Sequence, residues 1–178
     1  MQVVAGKWRG LKLITPEGIH TRPTLSRVKE AFFSSIQSDL PNSHFLDMFA
    51  GTGQMGIEAL SRGATRVVFI DNTTASLIND NLQKIKAQLN YQVLPADATL
   101  IQLGESFDYI YIDPPHESID FFLLLDRIQK TNLLTATGIV IIEQKTNKNL
   151  PNYPGYQQVK HKVYGQTMLT YLSSSASQ

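Results

Sequence analysis

The sequence predicts an α/β fold in which helices cover both faces of a mostly parallel β-sheet. Two observations support this prediction. Short apolar strands alternate with amphipathic helices along the middle of the chain, and the alternation ends in two consecutive strands near the C-terminus. Alternation of helices with nearly continuous apolar strands is typical of a parallel sheet that is buried on both faces. The 178 residues and the 42% hydrophobic content fit one domain with a single sizeable core.

The N-terminal residues precede the alternating region and predict a β-hairpin followed by a helix. Short apolar runs at 2–5 and 11–14 flank a turn that contains two glycines. Thr24 is typical of a helix N-cap, and apolar residues at three- and four-residue spacing then indicate a buried helix face. We expect this helix to end near Pro41.

The alternating region predicts five strands and three helices. We expect strands at about 44–49, 66–70, 91–95, 107–112 and 139–143, and helices at about 54–62, 73–88 and 117–130. Residues 156–164 and 167–172 predict a closing hairpin, which completes a seven-stranded sheet with one antiparallel strand. Ligands of such sheets bind beyond the carboxyl ends of the strands, so the functional site is expected there.

The composition excludes several kinds of site. The chain has no cysteine, which excludes disulfides, thiolate metal sites and a cysteine nucleophile. The four histidines are scattered without metal-binding spacing, so metal catalysis is not expected. The apolar runs are far shorter than the roughly 18 residues of a membrane helix, and the N-terminus lacks a signal-peptide pattern. We therefore expect a cytoplasmic protein.

Basic side chains are concentrated at the N-terminus. Residues 1–30 hold six Lys or Arg and two Asp or Glu, a net charge of +4. The whole chain carries +1, so the other 148 residues carry −3. This asymmetry favours an anionic partner at the N-terminus, although a solvated basic face would give the same pattern. We expect an N-terminal segment at 1–40, a main domain at 41–172 and a flexible tail at 173–178.

A glycine-rich loop follows the first strand of the alternating region. Gly51, Gly53 and Gly56 fit the pattern GxGxxG between a strand and a helix, a context typical of nucleotide binding. Asp71 ends the next strand 20 residues after Gly51, where a carboxylate can bind the hydroxyls of a ribose. The alternative is a tight turn in which Asp71 caps the following helix.

Asp47, just before the loop, favours S-adenosylmethionine over a dinucleotide, because that ligand carries an ammonium and a sulfonium but no pyrophosphate. Asp97, just past the third strand, is placed to accept from an adenine amino group, although an ordinary turn aspartate is the alternative. The residues expected to bind the cofactor are Asp47, Phe49, Ala50, Gly51, Thr52, Gly53, Asp71, Asn72, Asp97 and Ala98. A nicotinamide dehydrogenase would explain the loop and Asp71 but not the second motif.

The second motif, Asp113-Pro114-Pro115-His116, follows the fourth strand. Consecutive prolines fix an extended backbone and remove two donors, which leaves carbonyl acceptors at the cleft. A carboxylate and a carbonyl that accept the two hydrogens of an exocyclic amine favour its attack on a methyl group. We therefore expect Asp113 to act first as an acceptor and second in proton removal, and the ring of His116 to stack on a base. A Pro-Pro turn without a catalytic role is the alternative.

The two motifs together resemble class I S-adenosylmethionine-dependent methyltransferases that modify amino groups, which have a Rossmann-like three-layer fold. The segments Val4–Gly10, Thr21–Thr24, Arg27–Ala31 and Gly56–Ala64 more specifically resemble the RsmD family. Members of that family methylate N2 of one guanine in 16S ribosomal RNA (position 966 in the usual rRNA numbering). The resemblance implies S-adenosylmethionine as the cofactor and 16S rRNA or the assembling 30S subunit as the partner; a monomer is expected by default.

By this resemblance the basic N-terminal segment faces RNA. Arg22 and Arg27 are the first candidates for phosphate contacts, and Lys7, Arg9 and Lys12 are the next. Trp8 is expected to cover the core rather than to stack on RNA.

The sequence departs from the family at two places. His116 stands where the family usually has tyrosine, which introduces a titration near neutral pH. Asn72 and Thr73 replace more polar or acidic residues after the ribose carboxylate. Two other functions therefore remain open: an adenine-N6 methyltransferase acting on RNA or DNA, and an RNA-binding assembly factor of the same fold with weak or lost catalysis.

Overall fold

A computed structural model describes residues 1–16, 23–85, 90–115, 119–146 and 152–175. Its strands are β1 (His44–Met48), β2 (Arg66–Ile70), β3 (Tyr91–Leu94), β4 (Phe107–Ile112), β5 (Leu134–Lys145), β6 (Tyr156–Tyr164) and β7 (Thr167–Ser174). Its helices are α1 (Pro23–Ser35), α2 (Gln54–Ser61), α3 (Ala75–Gln83) and α4 (Phe121–Lys130). Among the residues within these ranges, no helix is long and apolar enough to cross a membrane.

The seven strands form one sheet in the order β3-β2-β1-β4-β5-β7-β6. The pairs from β3 to β5 are parallel, and β7 is antiparallel to both of its neighbours. This arrangement confirms the predicted fold, a mostly parallel sheet with one antiparallel strand. Because β1, β2 and β4 all run in one direction, the loops that follow them meet at one edge of the sheet.

Several elements differ from the prediction at their ends. β5 begins five residues earlier than expected, because Leu134 pairs with Phe107 ahead of an irregularity in the register. The tail expected at 173–178 is wrong for its first two residues, since β7 continues to Ser174, which pairs with Tyr156; residues 176–178 lie outside the described residues. α1 ends at Ser35 and is followed by turns, rather than continuing as a helix to near Pro41.

α4 begins at Phe121 rather than near residue 117. The side chain of Asp120 accepts hydrogen bonds from the backbone N–H groups of Phe122 and Leu123, at 2.9 and 3.2 Å, and so caps the helix. This capping satisfies donors that otherwise have no partner in the first turn of a helix.

The core lies on both faces of the sheet. One face packs against α1, α2 and α3, and the other packs against α4. Successive strand residues supply the two faces, as Phe45 and Leu46 of β1 do. On the first face, the ring of Phe32 in α1 lies 4.8 Å from Phe33 and 5.2 Å from Tyr111 of β4, measured between ring centroids. Residues of the segment 1–40 therefore share the core of the sheet.

The first 14 residues form an irregular hairpin, in which one residue pair, Gln2 and Lys12, makes a β-bridge. The N–H of Val3 donates to the carbonyl of Leu11 at 3.0 Å, which holds the two arms together. Trp8 is half-buried against the core, as predicted. At Gly6, with φ of +82°, an added Cβ would lie 1.9 Å from the carbonyl oxygen of Ser61, so the hairpin approaches α2 too closely for any side chain.

The carboxylate of Glu58 in α2 anchors this hairpin. Glu58 is fully buried and accepts from the backbone N–H groups of Val4 and Ala5, at 2.8 and 2.9 Å. It also forms ion pairs with Lys29, at 3.2 Å, and Arg62, at 2.9 Å. Lys29 in turn donates to the carbonyl of Gln2 at 2.7 Å. One buried carboxylate thus joins the hairpin, α1 and α2.

Replacing Glu58 with alanine is expected to lower the free energy of unfolding by about 3–5 kcal/mol, because it leaves Lys29 and two backbone donors buried without their partner. Urea unfolding followed by circular dichroism measures the loss. The matched control is Asp126→Ala, which breaks an exposed ion pair with Lys130 and should cost less than about 1 kcal/mol. Equal losses in the two variants would contradict the anchoring role of Glu58.

Candidate active site

A cavity of about 520 Å³ opens at the carboxyl edge of the sheet. Residues from the glycine-rich loop, from the segments after β2, β3 and β4, and from the start of the α4 region line it: Phe49, Gly51, Asp71, Asn72, Thr73, Thr74, Ala96, Ala98, Asp113, Pro115 and Ile119. Two motifs that are about 60 residues apart in the chain therefore face the same space. A cavity of this size is in the range that holds a nucleoside-sized ligand.

The glycine-rich loop bends sharply between β1 and α2. Phe49, Gly51 and Gly53 all have left-handed backbone conformations, with φ of 62°, 54° and 76°. Phe49 is not a glycine, so its conformation is strained, and such strain is common in loops that hold ligands. At Gly56, an added Cβ would lie 2.2 Å from the ring of Phe69, so this glycine lets α2 pack closely on β2.

Asp71 links the end of β2 to the glycine-rich loop. Its Oδ2 accepts from the N–H of Gly51 at 2.9 Å, and its Oδ1 accepts from the N–H groups of Thr73 and Thr74, both at 2.8 Å. Partial burial opposes ionisation, but the hydrogen bonds from Thr73, Gly51 and Thr74 outweigh it and hold the pKa of Asp71 below its ordinary value. Asp71 therefore forms the turn after β2 and also presents an ionised carboxylate to the cavity.

Asp47 lies beneath the loop and does not line the cavity. Its side chain is buried, and its Oδ2 accepts from the N–H of Gly56 at 2.9 Å. Burial raises the pKa of Asp47 to about 8; the Gly56 hydrogen bond opposes this rise and the charge of Asp71 adds to it. Three further residues expected at the cofactor lie outside the lining as well, namely Ala50, Thr52 and Gly53.

Asp97 is exposed and turns back on its own loop. Its Oδ1 accepts from the side-chain hydroxyl and the backbone N–H of Thr99, at 2.7 and 2.8 Å, and these bonds lower the pKa of Asp97. Its neighbours Ala96 and Ala98 line the cavity, whereas Asp97 is not among the lining residues. The side-chain contacts of Asp97 in the structure are therefore the hydrogen bonds from Thr99 within its own turn.

Asp113 follows β4 and faces the cavity. The surrounding protein and then the nearby carboxylates of Glu143 and Asp47 raise the pKa of Asp113 well above its ordinary range. The Asp113 side chain is exposed to solvent, and this hydration reduces the rise in its pKa that burial causes. Pro115 lines the cavity, whereas Pro114 is half-buried and is not among the lining residues. His116 lies outside the described residues.

Sequence reasoning missed Glu143, which is half-buried at the carboxyl end of β5. Ile112 pairs with Ile142, so Asp113 and Glu143 follow the same pair of residues on neighbouring strands. The hydroxyl of the buried Tyr111 donates to Oε2 of Glu143. The sequence pattern that could have identified Glu143 is the predicted strand at 139–143, because this strand ends on a carboxylate at the edge where the site was expected.

The basic residues of the N-terminal region are divided between surface and interior. Lys7, Arg9, Lys12 and Arg27 are exposed, whereas Lys29 is buried against Glu58 and is not free to meet an anionic partner. Arg22 lies outside the described residues.

Asn81 of α3 is a second residue that sequence reasoning missed. Its side chain is fully buried, and its amide bonds to both backbone groups of Ile14: Oδ1 accepts from the Ile14 N–H at 2.6 Å, and Nδ2 donates to the Ile14 carbonyl at 3.0 Å. The same amide donates to the carbonyl of Thr52 in the glycine-rich loop at 3.0 Å. The N-terminal hairpin is therefore bonded to the loop through one side chain.

Raising the pH from 5 to 8 is expected to lower the free energy of unfolding of the ligand-free protein. Asp47 alone contributes a decrease of up to about 1.4 kcal/mol per pH unit. Folded Asp47 keeps its proton up to a pKa of about 8, whereas the unfolded chain releases it near pH 3.9, so the folded state binds more protons across this window. Asp47→Asn removes the charge and keeps an acceptor for Gly56, so stability should fall less steeply with pH.

Urea unfolding at pH 5, 6.5 and 8 measures the two slopes. Asp126→Asn is the control, because its carboxylate is exposed and should leave the slope unchanged. Identical slopes for the wild type and Asp47→Asn would show that the buried carboxyl does not titrate in this window.

Comparison with known proteins identifies the family. Residues 1–173 match the family model described as conserved hypothetical protein 95. The ribosomal RNA small subunit methyltransferase D of Haemophilus influenzae is 32% identical over 174 residues, which cover 93% of this chain and 89% of that protein. The solved structure of yhhF from Escherichia coli superposes with a TM-score of 0.87 at 29% identity, over 99% of this chain and 98% of that chain.

A more distant structure carries the same fold. Magnesium protoporphyrin IX methyltransferase from Synechocystis, solved with bound S-adenosylmethionine, superposes with a TM-score of 0.67 at 13% identity, over 85% of this chain and 80% of that one. This likeness supports the class I methyltransferase fold of the sheet. The chain belongs to the conserved hypothetical protein 95 family, the RsmD family of methyltransferases that its motifs resemble.

Proposed function

We propose that the protein transfers a methyl group from S-adenosylmethionine to N2 of one guanine in 16S ribosomal RNA, within the assembling small ribosomal subunit. The observation that supports this most is the cavity in which the glycine-rich loop and Asp71 face Asp113 and Pro115. The name of the Haemophilus relative, a ribosomal RNA small subunit methyltransferase, supports the choice of substrate.

The residues of the cavity fit S-adenosylmethionine, which supplies an electrophilic methyl group on a positively charged sulfur. Asp71 is ionised, and its Oδ2, which accepts one hydrogen bond, has a lone pair free for a ribose hydroxyl. Phe49 and Ala98 offer apolar contacts to a base. Asp47, Asp71 and Asp113 make none of the four ion pairs formed among the described residues. A cationic ligand would therefore be attracted to the ionised Asp71 carboxylate and would favour ionisation of Asp47.

Asp113 and the two prolines would hold the amine that is methylated. The Asp113 carboxylate accepts one N–H of the amine, and a carbonyl oxygen of the Pro-Pro segment accepts the other, since prolines have no N–H to compete. The nitrogen lone pair then points at the methyl group, and correct positioning contributes most of the rate. The raised pKa of Asp113 suits it to take the proton that the amine loses.

Asp113→Ala is expected to lower methyl transfer at least about 100-fold and to leave cofactor binding nearly intact, because the acceptor acts on the amine. The assay measures radiolabelled methyl transfer to 30S particles from cells that lack the resident enzyme, with nucleoside analysis of the product. Calorimetry measures cofactor binding in parallel. The exposed carboxylate variant Asp126→Ala serves as the control and should keep the wild-type rate.

The nucleoside analysis tests the base as well as the site. Labelled N2-methylguanosine at one position is the expected product. Labelled N6-methyladenosine would overturn the assignment of guanine, and wild-type turnover by Asp113→Ala would overturn the assignment of Asp113.

Arg27→Ala is expected to weaken RNA binding and to reduce the slope of log affinity against log salt by about 1, because one phosphate contact is lost. Fluorescence anisotropy with a labelled 16S rRNA fragment at several salt concentrations measures the slope. Lys130→Ala is the control, since this exposed lysine lies on α4, across the sheet from α1. An unchanged slope in Arg27→Ala would mean that Arg27 does not contact phosphate.

A further inference from the structure

Two carboxylates lie side by side where a reacting amine would be held. β4 and β5 are parallel and in register up to Ile112 and Ile142, and Asp113 and Glu143 come next on their respective strands. Asp113 lines the cavity, whereas Glu143 is half-buried and is not among the lining residues. The proposed chemistry uses Asp113 and gives no role to Glu143.

Tyr111 fixes Glu143 from within the core. Tyr111 is 1% exposed, and its ring is packed between the sheet and Phe32 of α1. Its hydroxyl donates to Oε2 of Glu143, so the Glu143 carboxyl is oriented by a residue that cannot move freely. Burial raises the pKa of Tyr111 well above its ordinary value, and the tyrosine therefore remains a donor at neutral pH.

The hydrogen bond from Tyr111 favours the ionised form of Glu143. Burial raises the pKa of Glu143, and the Tyr111 hydrogen bond opposes that rise. The other titratable group that raises the pKa of Asp113 is Asp47 of β1, which is itself buried. On the opposite side Glu143 pairs with Leu169 of β7, which carries no charge, and no cation among the described residues forms an ion pair with Glu143.

When Glu143 is ionised, its charge makes Asp113 the more basic of the two groups. When two carboxyls share a site, they cannot easily both ionise, and the one without the stabilising donor keeps the proton. Tyr111 bonds to Glu143, so a proton that the ionised pair takes up resides on Asp113, the member that faces the cavity.

We propose that Glu143, held by the Tyr111 hydroxyl, is a positioning residue that makes Asp113 the acceptor of the proton released by the amine. This inference rests on the proposed function and extends it. As the new N–C bond forms, the bond between methyl carbon and sulfur breaks and its electron pair stays on sulfur. The nitrogen then gives an N–H proton to the Asp113 carboxylate, which later returns it to solvent through the open cavity.

The first test uses the ligand-free protein and needs no turnover. The carboxyl carbon of Asp113 is followed by NMR in protein labelled with ¹³C at aspartate, and Asp113→Asn identifies its signal. Glu143→Gln removes the charge but keeps an acceptor for Tyr111, so the titration of Asp113 should move to lower pH. Tyr111→Phe removes only the hydroxyl, so Glu143 should compete for the proton and the titration of Asp113 should again move to lower pH.

Tyr109→Phe is the matched control. Tyr109 lies two residues earlier on β4 with its ring on the same face of the sheet, and its hydroxyl forms no hydrogen bond to Glu143. The titration of Asp113 should be unchanged in this variant. An Asp113 titration that is the same in Glu143→Gln as in the wild type would overturn the inference, and so would an equal shift in Tyr109→Phe.

The second test separates binding from chemistry. Glu143→Gln and Tyr111→Phe should each lower kcat for methyl transfer about 10-fold or more with KM for the rRNA substrate little changed, because a weaker proton acceptor slows the chemical step. Wild-type kcat in both variants, with the fold verified by circular dichroism, would overturn the role of Glu143.

The two proposals fail in different ways. If the wild type leaves 16S rRNA unmethylated while the NMR shifts occur as expected, the proposed function is wrong and the pairing of Asp113 with Glu143 stands. If the wild type methylates guanine and the titration of Asp113 is unchanged in Glu143→Gln, the role of Glu143 is wrong and the proposed function stands.

Discussion

The parallel register of β4 between β1 and β5 is the constraint on which the site depends. It aligns the carboxyl ends of the three strands and so brings Asp47, Asp113 and Glu143 to one edge of the sheet. Asp71 reaches the same edge from β2 and bonds to Gly51. The sheet brings these side chains to one edge. Hydrogen bonds from Gly56 to Asp47, from Gly51 to Asp71 and from Tyr111 to Glu143 then hold three of them in place.

This concentration of carboxylates opposes folding and favours ligand binding. Burial raises the pKa values of Asp47 and Glu143, and loss of hydration followed by the nearby carboxyls of Glu143 and Asp47 raises the pKa of Asp113, so the ionised forms of these groups are disfavoured in the ligand-free protein. A strained Phe49 in the adjacent loop adds to the cost. Stability given up at a site of this kind is a common consequence of preparing it for a charged ligand or transition state. The large apolar core on both faces of the sheet offsets that cost.

The N-terminal hairpin and the glycine-rich loop are parts of one bonded unit. Glu58 fixes the start of the hairpin to α2, and Asn81 ties its end to both α3 and the carbonyl of Thr52. Both side chains are fully buried, and each satisfies backbone groups that would otherwise lack partners. The segment that carries the exposed basic residues is therefore held rigidly against the elements that form the cavity, so a partner bound to one surface would be positioned relative to the other.

The sequence by itself determined the alternation of strands and helices, the glycine-rich loop and the Asp-Pro-Pro segment, because each depends on spacing within a few residues and on backbone preferences that are local. The confirmed sheet, with its one antiparallel strand, follows from that pattern. Only the tertiary structure decided that Lys29 is buried with Glu58, that Asp47 lies beneath the loop and that Glu143 joins Asp113. These are contacts between residues 9 to about 30 positions apart, and they depend on the register of neighbouring elements. Charge and residue type alone do not reveal which side chains that register brings together, or which of them lose contact with water.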